Sequence, residues 1–226
     1  MKKLFDLAGV FVGEKELLSF NVYYETLTNY NNKFNITAIT DKEEVYKKNF
    51  IDSIIFNDFI DGKNVLDIGS GGGFPALPIK ITMPKINLTM MDATGKKCEF
   101  LREVVKKLEL NNVNVINGRA EEYAQNENFR EKFDVVTARA VARLNVLCEY
   151  LLPFLKVGGT MVAFKAICSD EVLESKNAIK VLGGELIECK TVDLFGNTRT
   201  AVVIKKVKNT PKIYPRMNSK IKKYPL

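Results

Sequence analysis

Histidine is missing altogether from this chain of 226 residues. Without an imidazole, the catalytic triads that need one and the metal sites built from thiols and imidazoles are excluded. The four cysteines form no C-x-x-C pair, and they are Cys98, Cys148, Cys168 and Cys189. We therefore expect reduced, mostly buried thiols and no bound metal.

Long apolar runs are missing as well. No stretch is long and apolar enough to span a bilayer. We also expect no signal peptide, because Asp6 interrupts the apolar run that should follow Met1-Lys2-Lys3. We expect a cytoplasmic protein without membrane contact. With 46% hydrophobic residues, the chain can form one well-buried domain with an appendage.

Acidic residues are missing from the end of the chain. No Asp or Glu follows Asp193, whereas nine Lys and Arg residues do, so the net charge of +7 comes from the C-terminus alone. Basic residues interleaved with Tyr214 and Tyr224 favour contact with RNA or another polyanion rather than with a cofactor. A solvated tail that keeps the protein in solution is the alternative.

The most informative stretch that is present is VLDIGSGGGFP, residues 65–75. A short apolar run contains Asp67, turns into glycines and leads into the apolar segment Ala76–Thr82. This pattern predicts a strand, a glycine-rich loop and a helix. The glycines that open the backbone to a ligand are Gly69, Gly71 and Gly73. Together with the free N–H groups of the helix, they predict a site for a nucleoside-sized cofactor.

The glycine register distinguishes between cofactors. A dinucleotide loop, G-x-G-x-x-G, would need glycine where the chain has Phe74, and a P-loop would need a final Gly-Lys-Ser/Thr. The order found, D-x-G-x-G-x-G, is that of S-adenosylmethionine enzymes. Their cofactor has an ammonium, a sulfonium and no phosphate, so the carboxylate of Asp67 suits it. A dinucleotide enzyme and a plain glycine-rich turn are the alternatives.

From Asn64 onwards, strand and helix patterns alternate. The predicted strands are Asn64–Ile68, Ile86–Met91, Val113–Asn117, Phe133–Thr137, Thr160–Lys165, Glu185–Val192 and Ala201–Val207. The predicted helices are Ala76–Thr82, Lys96–Leu110, Glu121–Gln125, Arg143–Leu155 and Glu171–Leu182. The alternation predicts an α/β, Rossmann-like fold with a mostly parallel seven-stranded sheet. The last two strands are too close in sequence for a parallel crossover, so they should form an antiparallel hairpin. This is the sheet of class I S-adenosylmethionine-dependent methyltransferases.

Three regions are predicted along the chain. Residues 1–62 should form an N-terminal helical cap on the main domain, with one helix over Glu14–Asn31 and a second running from its cap at Asp41 to Asp61. Residues 63–208 should form the Rossmann-like domain, and residues 209–226 a basic tail. Three prolines predict that the last sixteen residues are extended or irregular.

Ligands of parallel sheets bind beyond the carboxyl ends of the strands. After the second strand, Asp92 can accept hydrogen bonds from both ribose hydroxyls of an adenosine, and a plain loop acid is the alternative. Ala120 and Glu121 follow the third strand and can lie along the adenine edge or begin a helix. Arg139 follows the fourth strand and Lys165 ends the fifth, and each can clamp the cofactor's carboxylate or a substrate phosphate.

Two methyltransferase signatures are missing. No N/D-P-P-Y/F run follows the fourth strand, as it does in enzymes that methylate exocyclic amines, and the catalytic cysteines of cytosine-C5 enzymes are absent. The target is therefore predicted to be a nucleophile that needs no activation. Guanine N7 is such a nucleophile, because its lone pair is free and no proton has to leave before attack.

At this point the chain resembles the GidB (RsmG) family of bacterial small-subunit rRNA guanine-N7 methyltransferases. The resemblance covers nearly the whole length, and its more specific elements are Asp52-Ser53, Arg139-Ala140, Phe164-Lys165-Ala166 and the tail around Tyr214-Pro215-Arg216. It implies methyl transfer from S-adenosylmethionine to N7 of guanine 527 in the decoding-region loop of 16S rRNA. It also implies 16S rRNA, the 30S subunit or an assembly intermediate as partner, and we expect a monomer. The cofactor contacts that it suggests are Gly69, Phe74, Ala120, Glu121 and Arg139.

The chain departs from the family at Asn49, where a histidine often precedes the Asp-Ser pair. A general-base role cannot be assigned to this position. Two alternatives to an rRNA methyltransferase remain. One is a non-catalytic module that binds S-adenosylmethionine and RNA, although the Asp67 loop is not degraded. The other is a methyltransferase for another RNA or a small molecule, although a small molecule would not require a basic tail.

Overall fold

Seven strands form one sheet in the order β3-β2-β1-β4-β5-β7-β6. The computed structural model describes residues 1–226. The strands are β1 (Asn64–Ile68), β2 (Asn87–Asp92), β3 (Val113–Asn117), β4 (Phe133–Arg139), β5 (Leu155–Lys165), β6 (Gly184–Leu194) and β7 (Asn197–Lys206). The first five are parallel, whereas β7 runs antiparallel to both β5 and β6. The predicted α/β fold and its final antiparallel hairpin are confirmed.

Short helices connect the strands and precede them. They are α1 (Lys2–Leu7), α2 (Glu14–Asn31), α3 (Lys42–Val45), α4 (Asp52–Ile54), α5 (Ala76–Thr82), α6 (Gly95–Lys107), α7 (Ala120–Tyr123), α8 (Leu144–Leu151), α9 (Ser169–Glu174), α10 (Lys176–Val181) and α11 (Asn218–Lys223). None of them has both the length and the apolar character needed to cross a membrane.

The N-terminal helices pack on the sheet through a continuous aromatic core. Tyr23 of α2 stacks against Phe74 at the end of the glycine loop, with 5.5 Å between ring centroids, and Phe50 lies 5.1 Å from Tyr23. Both Tyr23 and Phe50 are completely buried. One hydrophobic cluster contains these rings together with Leu77 of α5 and Leu88 of β2. Residues 1–62 therefore share a core with the main domain.

The predicted second helix is not a single α-helix. It consists of α3, a π-helical segment (Tyr46–Ile51), α4 and a 3₁₀ turn (Asn57–Phe59). Arg139 at the end of β4 donates to the carbonyl of Lys48 and to the side chains of Asn49 and Asp52 in this region. Such long-range bonds are not visible in a local hydrophobic pattern and override helix propensity.

Three other helical regions also differ from the prediction. The tail contains the helix α11, where an extended or irregular segment was predicted, because Ile221 is fully buried against the main domain. The helix predicted over Glu171–Leu182 is divided at Ser175, whose hydroxyl donates to the carbonyl of Glu171. Helix α1 was not predicted.

Candidate functional site

Asp67, near the end of β1, is completely buried. Its Oδ1 accepts a hydrogen bond of 2.7 Å from the hydroxyl of Thr137 on β4, while its Oδ2 has no hydrogen-bond partner. Burial raises the pKa of this carboxyl from 3.8 to about 7. The unpartnered oxygen lies inside the protein, behind the glycine loop, and lines neither of the clefts described below.

The three glycines after Asp67 face different surroundings. A Cβ on Gly73 would lie 2.5 Å from the hydroxyl of Tyr23 and 2.6 Å from Leu77, and a Cβ on Gly69 would lie 2.6 Å from Val141. A Cβ on Gly71 would meet no atom closer than 3.8 Å. Gly69 and Gly73 are therefore needed for packing within the protein, and only Gly71 borders open space.

Asp92, the last residue of β2, holds the glycine loop. Its Oδ2 accepts a bond of 2.8 Å from the amide of Gly71, and its Oδ1 accepts one of 2.8 Å from the amide of Thr94. Each oxygen still has a second lone pair, so the carboxylate can accept further bonds from a ligand. Asp92 thus positions the loop, a role that the sequence did not predict.

A cleft opens beside this loop, lined in part by the ends of β1 and β2. It brings together four predicted cofactor residues, which are Gly69, Asp92, Ala120 and Glu121. Tyr150, Asn218 and Lys222 also line it, and none of these was predicted. Asp67, Gly71, Gly73, Phe74 and Arg139 do not line it. We call it the nucleoside cleft.

A second cleft lies between the cap and the ends of β4 and β5. Its wall contains the predicted residues Arg139 and Lys165, and it is also lined by Ile39, Lys48, Asn49, Asp52, Phe56, Ala140, Phe164, Ala166 and Arg199. We call it the acceptor cleft. Its mixture of aromatic, cationic and amide side chains suits a planar, polar ligand.

Arg139 is the central residue of the acceptor cleft. Its Nη1 donates to Asp52 Oδ2 at 2.9 Å, and its Nη2 donates to Asn49 Oδ1 at 2.9 Å. The guanidinium also lies 5.1 Å from the centre of the Phe74 ring. Phe74 therefore packs against the guanidinium of Arg139 and lines neither cleft. Asp52 is shared, because its other oxygen accepts a bond of 2.8 Å from Arg199.

Asn49 retains an unused donor. Its side chain is 4% exposed, and its Nδ2 has no hydrogen-bond partner. A buried amide donor without a partner is costly, so a ligand acceptor in the acceptor cleft would stabilise this position. The sequence indicated only that Asn49 is not a histidine, and the unused donor became visible only with the bond to Arg139.

Lys165 is less available than predicted. Its ammonium donates to the carbonyl of Ala142 at 2.7 Å and to Glu171 Oε2 at 2.7 Å. A lysine that is already paired with a carboxylate is a weaker clamp for a second anion. Its geometry is that of a residue that holds the loop after β4 in place.

The loop after β4 separates the two clefts. Ala140 lines the acceptor cleft, whereas Val141 and Ala142 line the nucleoside cleft. Ala140 has φ of +57°, a left-handed conformation that non-glycine residues adopt only under constraint. Val141 packs on Gly69, so the strained loop is held directly against the glycine loop. Ligands in the two clefts would therefore face each other across a single stretch of backbone.

No group of three or more His, Cys, Asp or Glu side chains is arranged to hold a metal ion. The sheet order, the antiparallel β7, and a cleft beside an acid–glycine loop define the fold of class I S-adenosylmethionine-dependent methyltransferases. The model of the GidB family, described as rRNA small subunit methyltransferase G, matches residues 16–199. The chain belongs to this family.

A curated relative agrees with the family assignment, and solved structures agree with the fold. A protein of Lactobacillus johnsonii named ribosomal RNA small subunit methyltransferase G is 47% identical over 226 residues, covering 96% of this chain and 95% of that one. The crystal structure of NSun6 from Pyrococcus horikoshii with SFG has a TM-score of 0.59 at 13% identity, covering 76% of this chain and 57% of that one. The apo structure of the S-adenosylmethionine-dependent methyltransferase SibL has a TM-score of 0.51 at 15% identity, covering 67% of this chain and 52% of that one. The structural likenesses concern the fold alone.

Proposed function

We propose that this protein transfers a methyl group from S-adenosylmethionine to N7 of a guanine in small-subunit rRNA, guanine 527 being the target that the family resemblance implies. The observation that carries the proposal is the contact between two clefts. The nucleoside cleft and the acceptor cleft are lined by neighbouring residues of one loop, Val141 and Ala142 on one side and Ala140 on the other. A methyl donor in one cleft and a base in the other would therefore be neighbours, as transfer between them requires.

The residues of the nucleoside cleft fit S-adenosylmethionine. Asp92 has free lone pairs for ribose hydroxyls, and Ala120 and Glu121 line the same cleft on the side of β3. A direct cofactor contact for Asp67, as predicted, would require the glycine loop to move, because its carboxylate is completely buried and lines neither cleft. When bound, the cofactor supplies a methyl group on a positively charged sulfur. A pyrophosphate in this cleft would meet the carboxylate of Asp92, which disfavours a dinucleotide.

The acceptor cleft fits a guanine. Phe56 and Phe164 offer apolar ring surface, with their centroids 5.9 Å apart. The free Nδ2 of Asn49 can donate to O6, the carbonyl beside N7 on the guanine edge. Arg139 and Arg199 bring two positive charges to the same cleft, and Asp52 neutralises only one of them. The remaining charge favours a nucleic-acid ligand with a phosphate nearby.

The proposed chemistry needs no general base. N7 of guanine carries its lone pair in the ring plane and holds no proton, so attack requires alignment alone. Arg139 is held by Asp52, Asn49 and Lys48, and the loop after β4 is held by Lys165. These residues fix the base relative to the nucleoside cleft. The absence of histidine is compatible with this reaction and would be unusual for one that needs a base at neutral pH.

The basic surface supports an RNA substrate. Lys212, Lys220, Lys222 and Lys223 are exposed and form no ion pair with an acidic side chain. The tail is less basic than its sequence suggests, because Arg216 pairs with Glu149. Four free lysines remain for phosphates. Location in the cytoplasm and a monomeric state stay predictions.

The test of this proposal is mass mapping of rRNA methylated in vitro. Purified protein and S-adenosylmethionine are incubated with 30S subunits, and separately with naked 16S rRNA, from cells that lack the gene. Nuclease digestion and mass spectrometry should locate one new methyl group on one guanine, at N7. A methyl group on another base or on an exocyclic amine, or none on either substrate, would overturn the proposal. Arg139→Ala is the variant control.

A further inference from the structure

The C-terminal segment 209–226 is fixed to the main domain by a dense set of polar contacts. Arg130 alone donates to the carbonyls of Thr210, Pro211 and Tyr214. Gln125 donates to the carbonyl of Pro215 at 2.9 Å. Such contacts are not expected of a solvated tail, whose backbone groups would be satisfied by water. The position of this segment is therefore a built feature of the fold.

Two neighbouring residues of α8 form hydrogen bonds with the start of α11 and the residues just before it. Glu149 is completely buried, and both its oxygens accept bonds from Arg216, the shorter to Nη2 at 2.6 Å. The next residue, Tyr150, donates through its hydroxyl to Asn218 Oδ1 at 2.7 Å. A buried carboxylate is stable only when it is paired, so α8 carries a costly group whose contacts serve to fix the tail.

The fixed helix faces the nucleoside cleft. Asn218 and Lys222, one turn apart on α11, line that cleft together with Tyr150. The bond from Tyr150 uses the carbonyl oxygen of the Asn218 side chain, so its Nδ2 remains as a donor toward the cleft. An adenine ring presents nitrogen acceptors at its edge. The chemistry of the free donor therefore matches the base of the expected cofactor.

We propose that α11 is a wall of the cofactor site and that Asn218 is a cofactor-binding residue, with its Nδ2 donating to a ring nitrogen of the adenine. The inference rests on the proposed use of S-adenosylmethionine and deepens it. It departs from the sequence-based prediction, which assigned the tail to RNA rather than to cofactor. One short segment then serves two ligands, the cofactor through Asn218 and RNA phosphates through its exposed lysines.

The test measures binding of S-adenosylhomocysteine and 5′-methylthioadenosine by calorimetry. The two ligands share the adenosine and differ in the amino-acid part. Asn218→Asp keeps the shape and an acceptor for Tyr150, but it places a carboxylate oxygen against the adenine. Loss of the bond from Asn218 Nδ2 to the adenine should weaken the binding of both ligands by about 5–10-fold. Lys223→Gln, on the same helix but outside the cleft, is the matched control and should bind as the wild type does.

The outcomes separate the two proposals. Failure of the wild type to bind either ligand would overturn the cofactor assignment itself. Normal binding by the wild type with unchanged binding by Asn218→Asp would overturn only the role of Asn218. A loss confined to S-adenosylhomocysteine would place Asn218 at the amino-acid end and contradict the adenine contact. Thermal unfolding of each variant shows whether the fold is retained.

A second experiment uses trypsin cleavage to measure how often α11 opens with and without ligand. Trypsin can cut after the exposed Lys220, Lys222 and Lys223 only when α11 opens. Ligand that binds the closed form should slow these cuts, approaching 100-fold at 100 times the dissociation constant. Cleavage after the exposed Lys2 and Lys3 should not change. Equal cleavage of α11 with and without S-adenosylhomocysteine, in protein shown to bind it, would contradict the wall.

Discussion

Arg139 and Asp52 form an ion pair of 2.9 Å between the end of β4 and the helical cap. The pair joins two regions that are 87 residues apart in sequence. It lies in the acceptor cleft, so the same contact that fixes the cap also orders the place proposed for the target base. Packing of the cap on the main domain and ordering of the acceptor cleft therefore depend on the same ion pair.

The ion pair predicts a linked loss of stability and activity. Asp52→Asn should leave Arg139 and Arg199 without a carboxylate, destabilising the fold by up to about 3–5 kcal/mol. Urea unfolding and a methyl-transfer assay test this. Glu174→Gln is the matched control, because its pair with Arg143 is exposed and contributes at most about 1 kcal/mol. Equal losses of unfolding free energy in Asp52→Asn and Glu174→Gln would contradict the central role of the Arg139–Asp52 pair.

Asp67 predicts an unusual pH dependence of stability. Its pKa is raised from 3.8 in the unfolded chain to about 7 in the folded one, so the native state holds this proton more tightly. The resulting stabilisation is fully present below about pH 4 and is lost as pH rises to about 7. Asp67→Asn should remove this trend and unfold at a higher temperature than the wild type at pH 8.

The measurement is thermal unfolding of both proteins, without ligand, between pH 5 and pH 8. The difference in unfolding temperature should grow in favour of Asp67→Asn as pH rises. Thr137→Val is a useful companion, because it removes the hydrogen bond to Oδ1 and should move the pH window upward. Parallel pH profiles for the wild type and Asp67→Asn would show that this carboxyl is ionised throughout.

The glycine loop predicts two different kinds of damage. Gly73→Ala should destabilise the protein, because its Cβ would collide with Tyr23 and Leu77. Gly71→Ala should cost only the strain of a left-handed alanine, about 1–2 kcal/mol, while added bulk there should weaken S-adenosylhomocysteine. Unfolding and calorimetry on both variants test the contrast. Tyr23→Phe should partly rescue Gly73→Ala, and the absence of any rescue would contradict the proposed collision.

The tail lysines predict the salt dependence of RNA binding. Replacing Lys212, Lys220 and Lys223 by Gln should flatten the slope of log K against log salt by about 2–3 units. Binding of S-adenosylhomocysteine should not change, because Lys222 and Asn218 are retained. The matched control replaces three exposed lysines elsewhere, namely Lys15, Lys85 and Lys106. Equal slopes for the two triple variants would return the tail to a solvating role.

The sheet and the cofactor loop could be predicted because their signals are local. The parallel sheet follows from βα alternation, the hairpin from a short connection, and the loop from the spacing of Asp67 and its glycines. Arg139 was recognised because a charged residue follows an apolar strand. Its partners could not be predicted, since nothing near Asp52 in sequence indicates a bond to β4.

The role of the tail was hidden for a similar reason. Lysines and prolines in the last residues favour an extended, solvated segment when composition is considered alone. Its anchors are Arg130, Glu149 and Tyr150, which are far away in sequence, and no local pattern marks them as partners of the tail. The one available signal was Ile221, an apolar residue among lysines, which marks the side of α11 that is buried.

The measurement that tests the central claim most directly uses a 16S rRNA in which the target guanine is replaced by 7-deazaguanine. This base keeps the Watson–Crick edge and lacks the N7 nucleophile. The RNA should bind with unchanged affinity and accept no methyl group. With the natural guanine, the single-turnover rate at saturating cofactor should stay flat from about pH 6.5 to 9, because no general base titrates. Methyl transfer to the deaza RNA, or a rate that rises tenfold per pH unit through neutrality, would show that the acceptor is not N7.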